Sequence, residues 1–166
     1  ALPISQSLVI LTAGIDLSVG AIMVFSSVIM GQFTFRYGLP VEVSVFCGLF
    51  AGTLMGAING VLVAVVRLPP FIVTLGTWQI FLAANFLYSE NETIRGSDIA
   101  DQAPLLQFFG EKFKIGGAIF TYGVVLMLVL AVVLAYMLRY TAWGRHVYAV
   151  GDDPDAAELS GVRTKR

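Results

Sequence analysis

The sequence predicts an all-α protein, a polytopic bundle of transmembrane helices, on three grounds: a shortage of charge, a high mean hydropathy and the spacing of the charges that remain. Of 166 residues, 57% are hydrophobic and 13% charged, and the mean hydropathy is +0.83. A soluble domain carries about 25% charged residues, so roughly half the usual supply is present. The deficit is concentrated. No charge falls between Leu17 and Phe35, Val43 and Val66, Leu68 and Ser89, or Ile115 and Leu138. Each window is about as long as the ~20 apolar residues that carry a helix across a ~30 Å hydrocarbon core. A further apolar stretch, Ala1 to Ile15, opens the chain. The expectation is therefore four full spans and part of a fifth, in one transmembrane domain over residues 1–166.

Composition also excludes some roles. The net charge of −1 and the lack of a basic patch argue against nucleic acid as a partner. The single cysteine, Cys47, has no partner for an internal disulfide and reads as an inert thiol in an apolar span. No signal-peptide pattern opens the chain. It starts inside an apolar run and stops just after a charged segment, which reads as a piece of a longer protein.

Gly14-Ile15-Asp16-Leu17-Ser18-Val19-Gly20 predicts a break between the first stretch and the next span. A carboxylate at the bilayer centre costs about 2.5–3.5 kcal/mol on insertion scales, so Asp16 needs a purpose. Gly14 and Gly20 let the chain leave and re-enter helical geometry. Asp16 then stands as an N-cap, accepting from the N–H of Ser18 or Val19. Two readings stay open: a plain cap near the cytoplasmic face, or a discontinuous helix exposing polar backbone to a translocation path.

In the second window Ser44, Gly48, Gly52, Gly56, Gly60 and Ala64 recur at intervals of four. Small residues allow close backbone approach, which is what holds helices together in lipid. The row drifts by about 40° per step, so it predicts a helix packed on several sides, central in a large bundle. Leu68-Pro69-Pro70-Phe71 predicts the start of the next span, with proline at the first helical position and an extended residue before it. Inside that span Thr74, Thr77, Gln79 and Asn85 are polar, as is Asn59 in the preceding one. Thr74, Thr77 and Gln79 share no clean stripe, so interhelical hydrogen bonds and a polar pathway both remain open. The aromatics Phe71, Trp78, Phe81 and Tyr88 read as core or interface anchors, although they could stack on a sugar.

The long polar loop Glu90–Lys114 carries Phe108, Phe109 and Phe113 at nearly helical spacing. A short helix at the membrane surface and a solvated loop are both compatible with it. Arg139, Arg145, Arg163, Lys165 and Arg166 gather after the last span. Positive residues in short segments favour the cytoplasm, which places 139–166 inside, the Arg67 turn inside, and the Glu90–Lys114 loop outside. Arg36 is a lone positive on the outer side. Within the tail Gly151 interrupts the segment, Asp153 is a strong N-cap, Pro154 fits the first helical position, and Gly161 ends the helix. The helix Asp153–Ser160 is too short to be stable alone. Its small Ala156-Ala157 centre suits a partner's groove, and the lone His146 reads as an exposed interface residue.

Asp155-Ala156-Ala157-x-x-x-Gly161 resembles the Glu-Ala-Ala-x-x-x-Gly loop of permeases of ATP-binding-cassette importers, with Asp155 replacing the usual Glu. Leu11–Gly20, Leu68–Gly76 and Gly144–Gly151 resemble the ribose/xylose-type branch of these permeases, and the likeness runs along the whole chain in order. It implies a multi-pass permease of the bacterial inner membrane that moves a monosaccharide by alternating access. Fructose stands ahead of ribose, xylose and mannose. It further implies a second permease copy, a periplasmic sugar-binding protein, and a cytoplasmic ATPase that docks on Gly144, Arg145, Asp153, Asp155, Ala156, Ala157 and Gly161. No Gly-x-x-x-x-Gly-Lys-Ser/Thr phosphate loop occurs. The chain is therefore expected to be no enzyme and to hold no cofactor, with ATP and Mg²⁺ on the partner. An ion-coupled secondary transporter is the competing reading. It requires paired intramembrane carboxylates or histidines, and only Asp16 is found. A membrane enzyme lacks any metal-spaced cluster or nucleophile–base set.

Overall fold

A computed structural model describes residues 2–11 and 14–161. Thr12, Ala13, Arg163, Lys165 and Arg166 lie outside the described residues, as does the side chain of Asp155. Helix α1 (Leu2–Leu11) ends at the predicted break, and α2 (Val19–Phe35), α3 (Val41–Ala64) and α4 (Pro70–Ser89) follow. The polar loop contains α5 (Gly96–Gln102), α6 (Pro104–Gln107), a 3₁₀ turn (Phe108–Gly110) and a hairpin of β1 (Lys112–Ile115) with β2 (Ala118–Thr121). The chain closes with α7 (Tyr122–Tyr140), α8 (Ala142–Asp152) and α9 (Pro154–Leu159).

Helices α3, α4 and α7 are long and apolar enough to cross a membrane, and α2, with 17 residues, is slightly shorter. The prolines act as expected: Pro70 is the first residue of α4, and Pro69 before it is extended at φ −57°, ψ 128°. One window departs from the expectation of a span starting at Ile115. The apolar run from Ile115 is not helical at its start, because Gly116 and Gly117 take φ +55° and +88° and turn the chain through a two-residue hairpin. Both central residues of such a turn need left-handed backbone. The span begins only at Tyr122, where Thr121 accepts a hydrogen bond from the Val124 N–H.

The packing is that of a membrane bundle, with many polar side chains buried inside and most large apolar ones facing outward. Helices α2, α3 and α4 pack together around Ala21, Met55 and Phe81. Ser18, Gln32, Ser44, Asn59, Thr74, Thr77, Asn85 and Ser89 are buried as well, whereas Phe46, Leu87 and Val132 are 68–81% exposed. In lipid an apolar surface has nothing to gain by hiding, while a polar group must find a partner. Along the small-residue row, a Cβ on Gly48 would meet the Met30 side chain and stand 2.8 Å from the Ser26 carbonyl, and one on Gly52 would stand 2.7 Å from Ser26 Oγ. Those two glycines let α2 and α3 touch. A Cβ on Gly56 or Gly60 would meet nothing within 4 Å, so among the described residues the row is covered at one end and open at the other.

On the side opposite the tail, Arg36 Nη2 lies 3.0 Å from Glu90 Oε1, and Gln32 Nε2 donates to Glu92 Oε2 at 3.3 Å. The hydrogen bond to Glu90 raises the Arg36 pKa above its already high ordinary value. These contacts tie the α2–α3 turn to the end of α4.

Candidate functional site

Two places bring sequence-predicted residues together. The first is the break. Asp16 Oδ1 accepts from the Ser18 N–H at 2.8 Å and from Ser18 Oγ at 2.7 Å. The capping carboxylate therefore stands three residues ahead of the first helical residue, Val19. Ser18 itself occupies the N-cap position and makes no side-chain cap bond. The reason is geometric: an Asx turn satisfies the N–H two residues on, and the helix starts after that turn is closed. Neither Gly14 nor Gly20 has a positive φ, so left-handed backbone is not what these two glycines supply. Gly14 instead permits close approach. Its N–H donates to the Val9 carbonyl at 2.9 Å, and a Cβ there would press on Val9 at 3.1–3.3 Å. Gly20 is an exposed residue of the first turn of α2 with open space beside it.

The break is stitched to three helices. Asn59 Nδ2 of α3 donates to Ser18 Oγ at 2.7 Å, so an unbroken chain of donors runs from Asn59 through Ser18 to the Asp16 carboxylate. Thr74 Oγ1 of α4 donates to the Ile15 carbonyl at 3.1 Å while also reaching its own Pro70 carbonyl. Gln6 of α1 donates to the Asp16 carbonyl. Ser18 is wholly buried and Asn59 is 6% exposed. In α4, Thr74, Thr77, Phe81, Asn85 and Ser89 form the buried stripe. Gln79 lies off it, exposed, and the structure does not bring it to the break. Gln6 was missed in the sequence reading, because an isolated amide in an apolar stretch carries no periodic signal.

The second place is the elbow between α7 and the tail. Thr141 Oγ1 donates to the Met137 carbonyl, closing the last turn of α7, and accepts from the Gly144 N–H at 3.2 Å, opening α8. One hydroxyl thus serves both helix ends. Gly144 is buried, and a Cβ on it would overlap the Leu138 carbonyl and stand 2.5 Å from the Leu138 Cα. Only glycine fits there. Thr141 is not singled out by the sequence reading, although threonine immediately before a helical segment is an N-cap signal. Arg145 and His146 are exposed on α8.

Gly151 does not interrupt the tail. Helix α8 runs through it to Asp152, because glycine in a helix costs only about 1 kcal/mol. The stop comes at Asp153, which is extended at φ −152°. Asp153 Oδ1 accepts from the Ala156 N–H at 3.0 Å, Pro154 opens α9, and Gly161 at φ +85° closes the turn after it. Ala156 is exposed, but Ala157 is 4% exposed and packed within its own chain. Of the alanine pair, only Ala156 is presented outward. Among the described residues no three His, Cys, Asp or Glu side chains gather in a way that could hold a metal ion.

Comparison with known proteins gives these features a context. Residues 2–166 match the family of permease components typified by branched-chain amino acid transport systems. The chain belongs to that permease family. It is a multi-pass protein of the bacterial inner membrane. Similar relatives include a fructose import permease of Rhizobium meliloti, 69% identical over 162 residues (98% of this chain, 45% of the relative). An autoinducer 2 import permease of Salmonella typhimurium is 35% identical over 165 residues (99% and 45%). A ribose import permease of Haemophilus influenzae is 31% identical over 163 residues (98% and 49%). This permease-family chain thus spans about half the length of the curated relatives it matches. No solved structure matches it.

Proposed function

We propose that the chain forms part of the membrane-spanning permease of an ATP-driven importer whose substrate is a monosaccharide, fructose first among the candidates. The observation that carries this reading is the 69% identity to a fructose import permease across 98% of the chain. In this reading a cytoplasmic ATPase pair binds ATP and Mg²⁺, a periplasmic binding protein delivers the sugar, and a second permease copy completes the path. The tail lies on the cytoplasmic side. The ATPase grips α8 and α9 through Arg145 and the outward face around Ala156. Asp153 and Gly161 delimit the docking helix, while Asp155 stands at its start.

Force then enters at α9 and passes through α8 to the elbow at Thr141 and Gly144. Gly144 seats α8 against Leu138 without an intervening side chain, so a shift of α8 is carried into α7. At the other end of the chain, the Asn59–Ser18–Asp16 hydrogen bonds, the Thr74–Ile15 bond and the Gln6–Asp16 bond join α1, α2, α3 and α4 into one unit that rocks together between outward- and inward-open forms. The polar groups of the break line the path or hold it in register.

The test is genetic and simple. A strain lacking its own fructose importer, supplied with the full-length permease and its cognate ATPase and binding protein, should accumulate labelled fructose. Accumulation of ribose or xylose alone would move the substrate. No uptake of any of these sugars by a correctly inserted complex would sink the proposal.

A further inference from the structure

We infer that the hairpin Lys112–Thr121 is an anchor in the membrane interface, with Lys112 and Lys114 placed to bind the phosphates of anionic phospholipid headgroups. The depth of the hairpin is set by what it is attached to. Helix α7 has 19 residues, about 28 Å at 1.5 Å per residue, so Tyr122 stands at one edge of a ~30 Å hydrocarbon core. Thr121, the residue before it, pairs with Lys112 across the hairpin. Directly opposed strand residues lie about 5 Å apart, which brings the Lys112 backbone to the same level.

Three ring contacts hold the loop at that depth. Tyr122 stacks on Phe108 with centroids 4.9 Å apart and meets Phe113 at 5.1 Å, and Phe113 stacks on its cross-strand partner Phe120 at 6.0 Å. Independently, the Phe109 carbonyl approaches the first turn of α7 so closely that a Cβ on Gly123 would lie 2.8 Å from it. The loop is therefore fastened to the top of the span and does not extend away into water.

The chemistry fits that level. Phe108, Phe109, Phe120 and Tyr122 are 37–53% exposed, and Ile119 is 60% exposed. Tyrosine is enriched where headgroups meet hydrocarbon, and phenylalanine supplies the apolar face of segments that lie in that interface. Alternation along β1 puts Lys112 and Lys114 together on the face opposite Phe113. Their four-carbon stems can follow the apolar surface while the ammonium groups reach phosphate. Glu111 precedes them, leaving the segment Glu111–Tyr122 with a net charge of +1.

The experiment uses the full-length permease in nanodiscs of phosphatidylglycerol and phosphatidylcholine. A nitroxide is attached at Ile119→Cys with Cys47→Ala. The label should collide with oxygen more than with a water-soluble nickel chelate, at the depth of the headgroups. Replacing Lys112→Gln and Lys114→Gln should lower the preference for bound phosphatidylglycerol, read by native mass spectrometry, by roughly five-fold per lysine. A label with the accessibility of bulk water would overturn the inference. So would an unchanged lipid preference in the double variant. A label that leaves water only when a second protein is added would assign the hairpin to that protein instead.

Discussion

Gly144→Ala is the sharpest perturbation available at the elbow. The new Cβ would overlap the Leu138 carbonyl and sit 2.5 Å from the Leu138 Cα, and both are backbone atoms that cannot rotate aside. Ordinary contact begins at 3.4 Å, so the two helices must separate by at least 0.9 Å (3.4 minus 2.5). Overpacking of this kind costs about 1–3 kcal/mol when it is relieved by local backbone shifts. The cheaper relief is rotation of α8 about Thr141. Gly144 lies about 4.5 Å along the helix from that pivot and the far end of α8 about 16 Å, at 1.5 Å per residue. A 0.9 Å displacement at Gly144 then becomes a swing of about 3 Å where α9 begins, through this lever ratio. That distance is enough to misplace a docking helix, while the spans themselves are untouched. Spin labels at Tyr136→Cys and Leu159→Cys, with Cys47→Ala, report the swing by pulsed electron resonance. Sugar uptake should fall to background while membrane insertion stays normal. An unchanged distance together with unchanged uptake would refute the lever.

Other outcomes follow from the same contacts. Ala156→Trp should insert and fold normally yet abolish coupling to the ATPase, whereas Ala157→Trp should lower thermal stability in detergent, since only Ala157 is packed in its own chain. Equal stability of the two variants would contradict that division. Asp16→Asn retains an acceptor for Ser18 and should be nearly as stable as wild type. Asp16→Ala leaves a buried N–H and hydroxyl without one and should cost about 1–3 kcal/mol in a denaturant titration in micelles; equivalence of the two would dismiss the Asx turn. Gly48→Leu should destabilise the α2–α3 contact by about 1–3 kcal/mol, against little change within this chain for Gly56→Leu, which has open space beside it.

Much of the fold was legible because membrane insertion imposes long charge-free windows, and Asp153, Pro70 and Gly161 are strong local signals that tertiary contacts did not override. The hairpin was hidden by the same logic. Ile115, Ala118, Ile119 and Phe120 lack charge, so they merged with the span, although Gly116-Gly117 between β-prone residues is a turn signal in its own right. Asp16 was read correctly as an acceptor for Ser18 but placed at the cap itself, because the sequence does not say where the first helical hydrogen bond forms. Which polar residue of α4 points inward depends on the neighbours. Thr74 meets the Ile15 carbonyl and Gln79 meets nothing of the break, a distinction absent from the residue types alone. The burial of Ala157 depends on the fold of the tail and is encoded by no local pattern, whereas both Thr141 bonds are local, to residues four before and three after it, and are open to a capping reading of the sequence.

Vesicles carrying the full-length permease with its ATPase, given binding protein and labelled fructose outside and ATP within, test the central claim most directly. The account predicts accumulation that requires ATP hydrolysis and survives an uncoupler of the proton gradient. Accumulation that persists without ATP and collapses with the gradient would contradict it.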